Sequence, residues 1–198
     1  MKKLLITLLT TMSIMSMGAD FNTSMEITFK HEGSTVFRSK YGEVSKYGIT
    51  KEVLASYNKR HKTNHHVTAL SKKVARAIYR ERYWNSCKLS QIQSQYLANH
   101  MFDFGVNSGI YRATVEMQKM CNRLNQLYNV YNTEKLPLLK IDGVMGSQTI
   151  YNVNKMTEYF GEGVMVQEFK LTRLAFLRRL GNKWSSFSKV WKRRIDNI

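Results

Sequence analysis

The sequence predicts a mainly α-helical protein. Apolar residues recur at helical spacing in several segments, and Ser or Thr residues suited to capping stand before some of them. Alternating patterns typical of strands are sparse. The 198 residues include one proline and 11 glycines, which excludes a collagen-like or proline-rich chain, and 43% hydrophobic residues suffice for a core. This length allows one compact domain, or a main domain with a small lobe.

The first predicted elements are a short helix and a glycine-containing loop. Residues 25–32 form an amphipathic helix after a polar capping stretch at 22–24, and Gly33 ends it. Glu32 is therefore expected at the C-terminal end of this helix. Residues 33–50 place glycines among aromatic and hydroxyl residues, which predicts a loop or a small hairpin.

The rest of the chain is predicted to be helical with one long interruption. Four helices are expected at 51–60 after a Thr50 cap, at 72–84 after a Ser71 cap, at 89–104 and at 111–125. A polar connector follows at 128–140, and the glycines of 141–149 predict a tight turn with Ser147 or Thr149 capping the next helix. Residues 150–180 are expected to form one or two helices.

The charge of the chain is strongly positive. There are 31 Lys and Arg residues against 14 Asp and Glu residues, giving a formal net charge of +17. Such a charge predicts a polyanionic partner, which is a nucleic acid, an anionic membrane or an anionic cell wall. Charge alone does not choose among these partners.

The N-terminus has the features of an export signal. Residues 1–19 contain two lysines, an apolar run and small residues before Asp20, which predicts a signal peptide and a periplasmic or secreted protein. Two alternatives remain open, a first helix packed on the domain and an uncleaved anchor. The apolar run is shorter than the roughly 20 residues of a stable membrane span, so only transient membrane contact is expected.

The cysteines and histidines do not predict a metal site. Cys87 and Cys121 form a disulfide in an oxidising compartment, or remain two buried thiols, and both interpretations stay open. His61 and His65 are four residues apart in a basic segment with no third ligand close by. Zinc normally needs three or four ligands, so no metal and no other cofactor is expected.

One motif has the features of an active site. Residues 31–33 read His-Glu-Gly, and residues 46–50 read Lys-Tyr-Gly-Ile-Thr. This pattern places a carboxylate at a helix end, facing a loop that brings hydroxyl groups back to it. Such an arrangement suits an acid that acts in glycoside cleavage.

These residues resemble the glycoside hydrolase family 108 muramidases, a lysozyme-like group. The similarity extends to 77–84 and 102–109, while 141–149 resembles the peptidoglycan-binding lobe that commonly follows that catalytic domain. The resemblance implies a lysozyme-like catalytic domain at 20–127 and a C-terminal helical lobe at 128–198. It further implies cleavage of the bond between N-acetylmuramic acid and N-acetylglucosamine in peptidoglycan glycan strands.

The loop departs from the family pattern at two places. The family usually has Gly-Gly after the catalytic Glu and an Asp before the Gly-Ile-Thr stretch. Here the pair is Gly-Ser, and no Asp occurs between Asp20 and Asp103. Either Glu43 takes the place of the missing carboxylate, or Ser45, Tyr47 and Thr50 position water without a strong base.

The predicted catalytic residues are Glu32, Glu43 and Thr50. Glu32 would act as general acid, in an inverting or a retaining mechanism. Glu43 has the alternative of a solvated ion pair, and Thr50 that of a helix cap. The predicted substrate-binding residues are Ser45, Tyr47, Tyr83, Trp84, Asp103 and Asn107. For Tyr83 and Trp84 the alternative is the core, and for Asp103 a structural capping role, which the sequence favours.

Three functions fit the sequence. The first is a secreted muramidase that adheres to an anionic cell envelope. The second is a protein of the same fold that binds peptidoglycan but has lost turnover, because the loop Asp is missing. The third is a nucleic-acid binder with its basic patch at 189–194, which leaves the export signal and the Glu32 loop unexplained. A nucleic-acid partner is therefore not expected, and the oligomeric state stays open.

Overall fold

The computed structural model describes residues 18–32, 35–39 and 42–198. The predicted export segment lies outside these residues except for its last two, and so does the Gly-Ser pair at 33–34. Within the described part of the chain, no helix has the length and apolar character to cross a membrane.

The described residues confirm a mainly α-helical fold with one small sheet. The helices are α1 Phe21–Glu32, α2 Lys51–His61, α3 Lys72–Tyr79, α4 Gln95–Ser108, α5 Ile110–Tyr131, α6 Ser147–Phe160, α7 Glu162–Arg178 and α8 Asn182–Asp196. The strands are β1 Val36–Arg38, β2 Val44–Lys46 and β3 Ile49–Thr50. Short 3₁₀ turns lie at Val67–Ala69 and Leu89–Gln91, and a π-helical turn, Arg80–Asn85, directly follows α3.

Helix α1 begins earlier than predicted but ends where predicted. The Asp20 carboxylate accepts the backbone N–H of Thr23 at 2.8 Å and so caps the helix, in place of the 22–24 stretch. The same backbone bond, outweighing burial, holds the pKa of Asp20 below its ordinary value. Phe21 and Met25 are buried on the inner face. Glu32 is the last residue of α1, as the sequence predicted.

The segment predicted to be a loop or a small hairpin contains a three-stranded antiparallel sheet in the order β1-β2-β3. Phe37 pairs with Ser45, and Ser45 pairs with Thr50 on the other side. Tyr47 and Gly48 form the turn between β2 and β3, with φ of 52° and 70°. Left-handed φ values of this kind suit glycine.

The predicted caps in the middle of the chain are confirmed, and one helix starts later than expected. The Thr50 and Ser71 hydroxyls accept the backbone N–H groups of Val53 and Val74 at 3.4 and 3.3 Å. The helix expected from residue 89 begins at Gln95, because Ser94 caps it and a 3₁₀ turn precedes it.

The C-terminal part shares its core with the N-terminal part. Helix α5 runs without a break through the predicted boundary at 127, and α4 packs against both α5 and α7. One cluster of buried apolar side chains extends from Ala19 to Phe169. Helix α6 begins at Ser147 without a side-chain cap, which corrects the prediction for Ser147 and Thr149. Both cysteines are buried free thiols.

Candidate active site

Glu32 lies at the end of α1 against the turn between β2 and β3. A Cβ atom at Gly48 would lie 2.5 Å from Glu32 Oε2 and 2.6 Å from the Tyr79 hydroxyl. Only a residue without a side chain therefore fits at this turn. The Glu32 side chain is 19% exposed, so it is not fully enclosed by the protein.

Arg194, near the end of α8, binds the Glu32 carboxylate. Its Nη2 donates to Glu32 Oε1 at 2.7 Å, and its Nη2 and Nε donate to Asp103 Oδ1 at 2.8 and 2.9 Å. Burial alone would lower the pKa of Arg194, but the Asp103 and Glu32 carboxylates raise it above its ordinary value. The sequence indicated Arg194 only as part of the basic patch at 189–194, and its contact with Glu32 was not predicted.

Asp103 anchors the cluster from the core. It is completely buried, and Arg173, also buried, donates from Nη2 to its Oδ2 at 2.7 Å. Burial would raise the pKa of Asp103, but the guanidinium groups of Arg173 and Arg194 hold it below the ordinary value. The predicted contact of Asp103 with substrate is therefore wrong, because its carboxylate is buried and bound by two arginines. Its role is structural, as the sequence favoured, but through ion pairs with these arginines.

Tyr79 forms an aromatic wall beside Glu32. Its hydroxyl donates to the backbone carbonyl of Tyr47 at 2.9 Å, and its ring lies 6.0 Å from Phe29 and 5.5 Å from Tyr83. Burial, reinforced by the negative charge of Glu32, raises the pKa of Tyr79 well above its usual range. The phenol is therefore a neutral donor under ordinary conditions.

His31 precedes Glu32 and contributes no strong positive charge to the cluster. Burial first, and then the nearby Arg194, lower the pKa of His31 below its ordinary value. The guanidinium groups of Arg194 and Arg173 are therefore the cations that balance Glu32 and Asp103.

The hydroxyl residues of the sheet lie close to the Gly48 turn. Tyr47 is half-buried with its ring 5.7 Å from Phe29, and Ser45 pairs with Thr50 across the strands. Thr50 serves as the cap of α2. The described contacts of Glu32 do not include Ser45 or Thr50, so their roles in catalysis stay predictions.

Glu43 lies between β1 and β2, away from the described contacts of Glu32. Its side chain is exposed, and its backbone carbonyl accepts the N–H of Ser39 at 2.9 Å. The described residues show no ion pair or hydrogen bond to its carboxylate. Its role as a second carboxylate also stays a prediction.

The adjacent aromatics Tyr83 and Trp84 have different environments. Trp84 is 2% exposed and makes edge contacts with Phe21 and Phe102 at 5.7 and 5.8 Å. It belongs to the core, which corrects the prediction that it stacks on a sugar. Tyr83 is partly exposed and lines a hollow of about 530 Å³, where sugar contact stays a prediction.

Asn107 lies at the end of α4 and is exposed. It lines a second hollow of about 320 Å³ together with Trp191 of α8. The Asn107 Oδ1 accepts the Ser108 hydroxyl at 3.2 Å, and its contact with substrate stays a prediction.

His61 lies in the basic segment where the sequence predicts no metal site, and it contacts Glu81 and Tyr57. His61 Nε2 lies 2.7 Å from Glu81 Oε2, and the Tyr57 ring lies 4.3 Å from the His61 ring. Within residues 18–32, 35–39 and 42–198 there is no group of three or more His, Cys, Asp or Glu side chains that forms a metal site.

Comparison with known proteins places this site in a family. The model of the family described as glycosyl hydrolase 108 matches residues 25–109, which extend from α1 to the end of α4 and contain Glu32, Gly48 and Asp103. The structure of Brucella abortus SagA aligns with a TM-score of 0.69 and 28% identity, covering 89% of each chain. Among curated proteins, none matches this chain. Residues 25–109 are therefore a glycosyl hydrolase 108 domain, which identifies a glycoside hydrolase, and the described residues have a mainly α-helical, lysozyme-like fold.

Proposed function

We propose that this glycoside hydrolase is a muramidase, which cleaves the bond between N-acetylmuramic acid and N-acetylglucosamine in peptidoglycan. The observation that supports this most directly is the placement of Glu32. Its carboxylate stands at the end of α1 beside the Gly48 turn, which the Tyr79 hydroxyl also approaches, inside the glycosyl hydrolase 108 domain.

Glu32 acts as the general acid. Arg194 holds Oε1, so the oxygen that faces the Gly48 turn, Oε2, is the one that transfers the proton to the leaving oxygen. Positioned acids of this kind accelerate a reaction by roughly 10²–10⁴-fold. Arg194 is fixed by Asp103, and this network orients the carboxylate before substrate binds.

The second catalytic group, which acts as base or nucleophile or holds the attacking water, comes from the small β-sheet and its loops. Asp103 cannot serve as base or nucleophile, because it is buried and paired with Arg173 and Arg194. Glu43 acts as the second carboxylate, or Ser45, Tyr47 and Thr50 hold the attacking water. If Glu43 is the second carboxylate, its separation from Glu32 in the complex with substrate distinguishes the two mechanisms. It is about 6.5–9.5 Å in an inverting enzyme and about 5–5.5 Å in a retaining one.

The charge of the chain and its N-terminal segment fit a substrate outside the cytoplasm. A net charge of +17 favours adhesion to an anionic envelope. Residues 1–19 supply the export signal, and the protein reaches the periplasm or is secreted. Residues 128–198 assist binding to peptidoglycan.

The test is the mass of the fragments released from purified peptidoglycan. The full chain is expected to release muropeptides with reducing N-acetylmuramic acid ends, and Glu32→Gln to lose at least about 100-fold of the rate. Glu158→Gln is the matched control, because Glu158 is an exposed carboxylate of α6. Reducing N-acetylglucosamine ends, or equal release by wild type and Glu32→Gln, would contradict the proposal.

A second candidate function is peptidoglycan binding without turnover. The absence of an Asp between Asp20 and Asp103 favours it, since the loop then offers only Glu43 as a second carboxylate. Binding of wild type to peptidoglycan with no release of reducing ends would support this function.

A further inference from the structure

Two surface hollows are lined by residues that lie one helical turn from residues of the Glu32 site. The larger hollow, about 530 Å³, is lined by Tyr83, one helical turn beyond Tyr79. The smaller hollow, about 320 Å³, is lined by Trp191, which stands one turn before Arg194 on α8. Each hollow is therefore linked by one turn of helix to a residue of the Glu32 site.

The two hollows share a wall at the junction of α4 and α5. Ser108 and Arg112 line both of them, and Gly109, with φ of 93°, turns the chain between the two helices. Arg112 Nη1 donates to the backbone carbonyl of Ser108 at 3.0 Å, which holds the guanidinium at the shared wall. The two adjoining hollows are called the α4–α5 groove below, defined by Arg82, Tyr83, Asn107, Ser108, Arg112 and Trp191.

The groove has an uncompensated positive charge. Arg82, Arg112 and Lys183 line it and are exposed, and no Asp or Glu lines either hollow in the described part of the chain. Among the described residues, these three cations form no ion pair with a carboxylate. This differs from the core cluster, where Arg173 and Arg194 are both paired with Asp103.

Aromatic surface accompanies this charge. Tyr83 lines the larger hollow, and Phe176 and Trp191 line the smaller one. Aromatic rings offer a flat apolar surface with polar edges, and guanidinium groups bind carboxylates through two parallel hydrogen bonds. The combination matches a sugar polymer that bears carboxylates better than a neutral one.

We propose that this groove binds the carboxylates of peptidoglycan, in its stem peptides and its free muramic acid groups, with Arg112 as the principal contact. The identity of the polymer rests on the proposed function. Arg112 then determines specificity, because it makes the enzyme prefer an acidic glycan over a neutral chitin-type glycan.

The test measures binding separately from cleavage. Glu32→Gln serves as the starting protein, and its sedimentation with purified peptidoglycan is compared before and after the carboxylates are converted to methylamides, at about 0.15 M salt to screen distant charges. Arg112→Gln is expected to weaken binding about fivefold or more on native peptidoglycan, as loss of a charge-assisted hydrogen bond does. It is expected to have no effect on the amidated polymer, while Arg112→Lys retains part of the affinity.

Lys73→Gln is the matched control. It removes one positive charge from the exposed face of α3 and lines neither hollow. It is expected to bind both polymers as the starting protein does. An equal loss for Lys73→Gln and Arg112→Gln would overturn the proposal, because only net charge would then matter.

Other outcomes are equally decisive. Equal weakening by Arg112→Gln on native and amidated peptidoglycan would overturn the proposal, since Arg112 would then act only on the fold. Full displacement of peptidoglycan by equimolar duplex DNA would overturn it in favour of a general polyanion site. If binding behaves as expected but wild type releases no reducing ends, the proposed muramidase activity fails and the groove assignment stands.

Discussion

Arg194 of the last helix donates to Glu32 at the end of the first helix at 2.7 Å, although 162 positions separate them in the chain. The same guanidinium binds Asp103, which Arg173 also contacts. The C-terminal helix therefore supplies part of the environment of the proposed catalytic acid. Apart from Ile195, the residues of α8 are not fully buried, so this polar contact is a main link between α8 and the site.

Removing the guanidinium of Arg194 is expected to disable the site. In Arg194→Gln the Glu32 carboxylate loses its fixed partner, and a displaced catalytic group costs about 100-fold in rate. The measurement is the rate of reducing-end release from peptidoglycan, with thermal unfolding recorded for the same samples. Arg193→Gln, an exposed arginine one position earlier, should keep wild-type activity. Full activity in folded Arg194→Gln would contradict the role of this residue.

Gly48 is expected to tolerate no side chain. In Gly48→Ala the new Cβ collides with Glu32 Oε2 and the Tyr79 hydroxyl, so peptidoglycan hydrolysis should fall by at least about 100-fold. Gly42→Ala isolates the effect of backbone strain, because Gly42 also has a positive φ but no neighbouring atom within 4 Å. That variant should lose about 1 kcal/mol of stability and remain active. Similar activity losses in both variants would contradict the steric explanation.

Asp103 is expected to contribute to stability far more than an exposed aspartate does. Asp103→Asn leaves the buried Arg173 without a full counter-charge, which should lower the free energy of unfolding by about 3–5 kcal/mol. Asp196→Asn is the control, because Asp196 is 61% exposed in its pair with Lys170 and should change stability by about 0–1 kcal/mol. Urea unfolding at neutral pH measures both. A small effect of Asp103→Asn would show that the cluster relaxes without it.

His100 is expected to make the fold sensitive to mild acid. Burial, and then the charges of Arg173 and Lys170, lower its pKa from 6.5 to about 4. Between these values the unfolded chain binds more protons than the folded one, so stability falls as the pH drops through this window. The loss is on the order of 3 kcal/mol in total.

This dependence is checked by urea unfolding at pH 7 and pH 4.5. His100→Gln should lose less stability between the two values than wild type does, whereas His66→Gln, which changes an exposed histidine, should behave as wild type. An unchanged loss in His100→Gln would assign the acid sensitivity to other groups.

The two cysteines are expected to remain unreactive thiols in the folded protein. Burial raises the pKa of Cys87 and of Cys121 to about 12, and the thiolate is the reactive form. A thiol reagent at pH 8 should therefore label neither residue until denaturant is added, and then both without a reductant. Absence of labelling after unfolding would indicate a disulfide.

The local elements of this protein were predictable because their causes are local. Thr50 and Ser71 cap the helices that follow them, since a hydroxyl needs only the N–H group three residues ahead. The glycine-containing segment after Glu32, predicted to be a loop or a small hairpin, contains a three-stranded sheet. The errors lie at boundaries, as where Asp20 rather than the 22–24 stretch caps α1.

The sequence by itself determined the helical class, the position of Glu32 at the end of α1 and the resemblance to its family. Only the tertiary structure decided which side chains surround Glu32, because Arg194 and Asp103 meet through packing across 91 positions of sequence. It also decided that Tyr83 lines a surface hollow whereas its neighbour Trp84 is buried in the core. Burial and long-range charge pairing depend on how α4, α7 and α8 pack, and no local pattern encodes that arrangement.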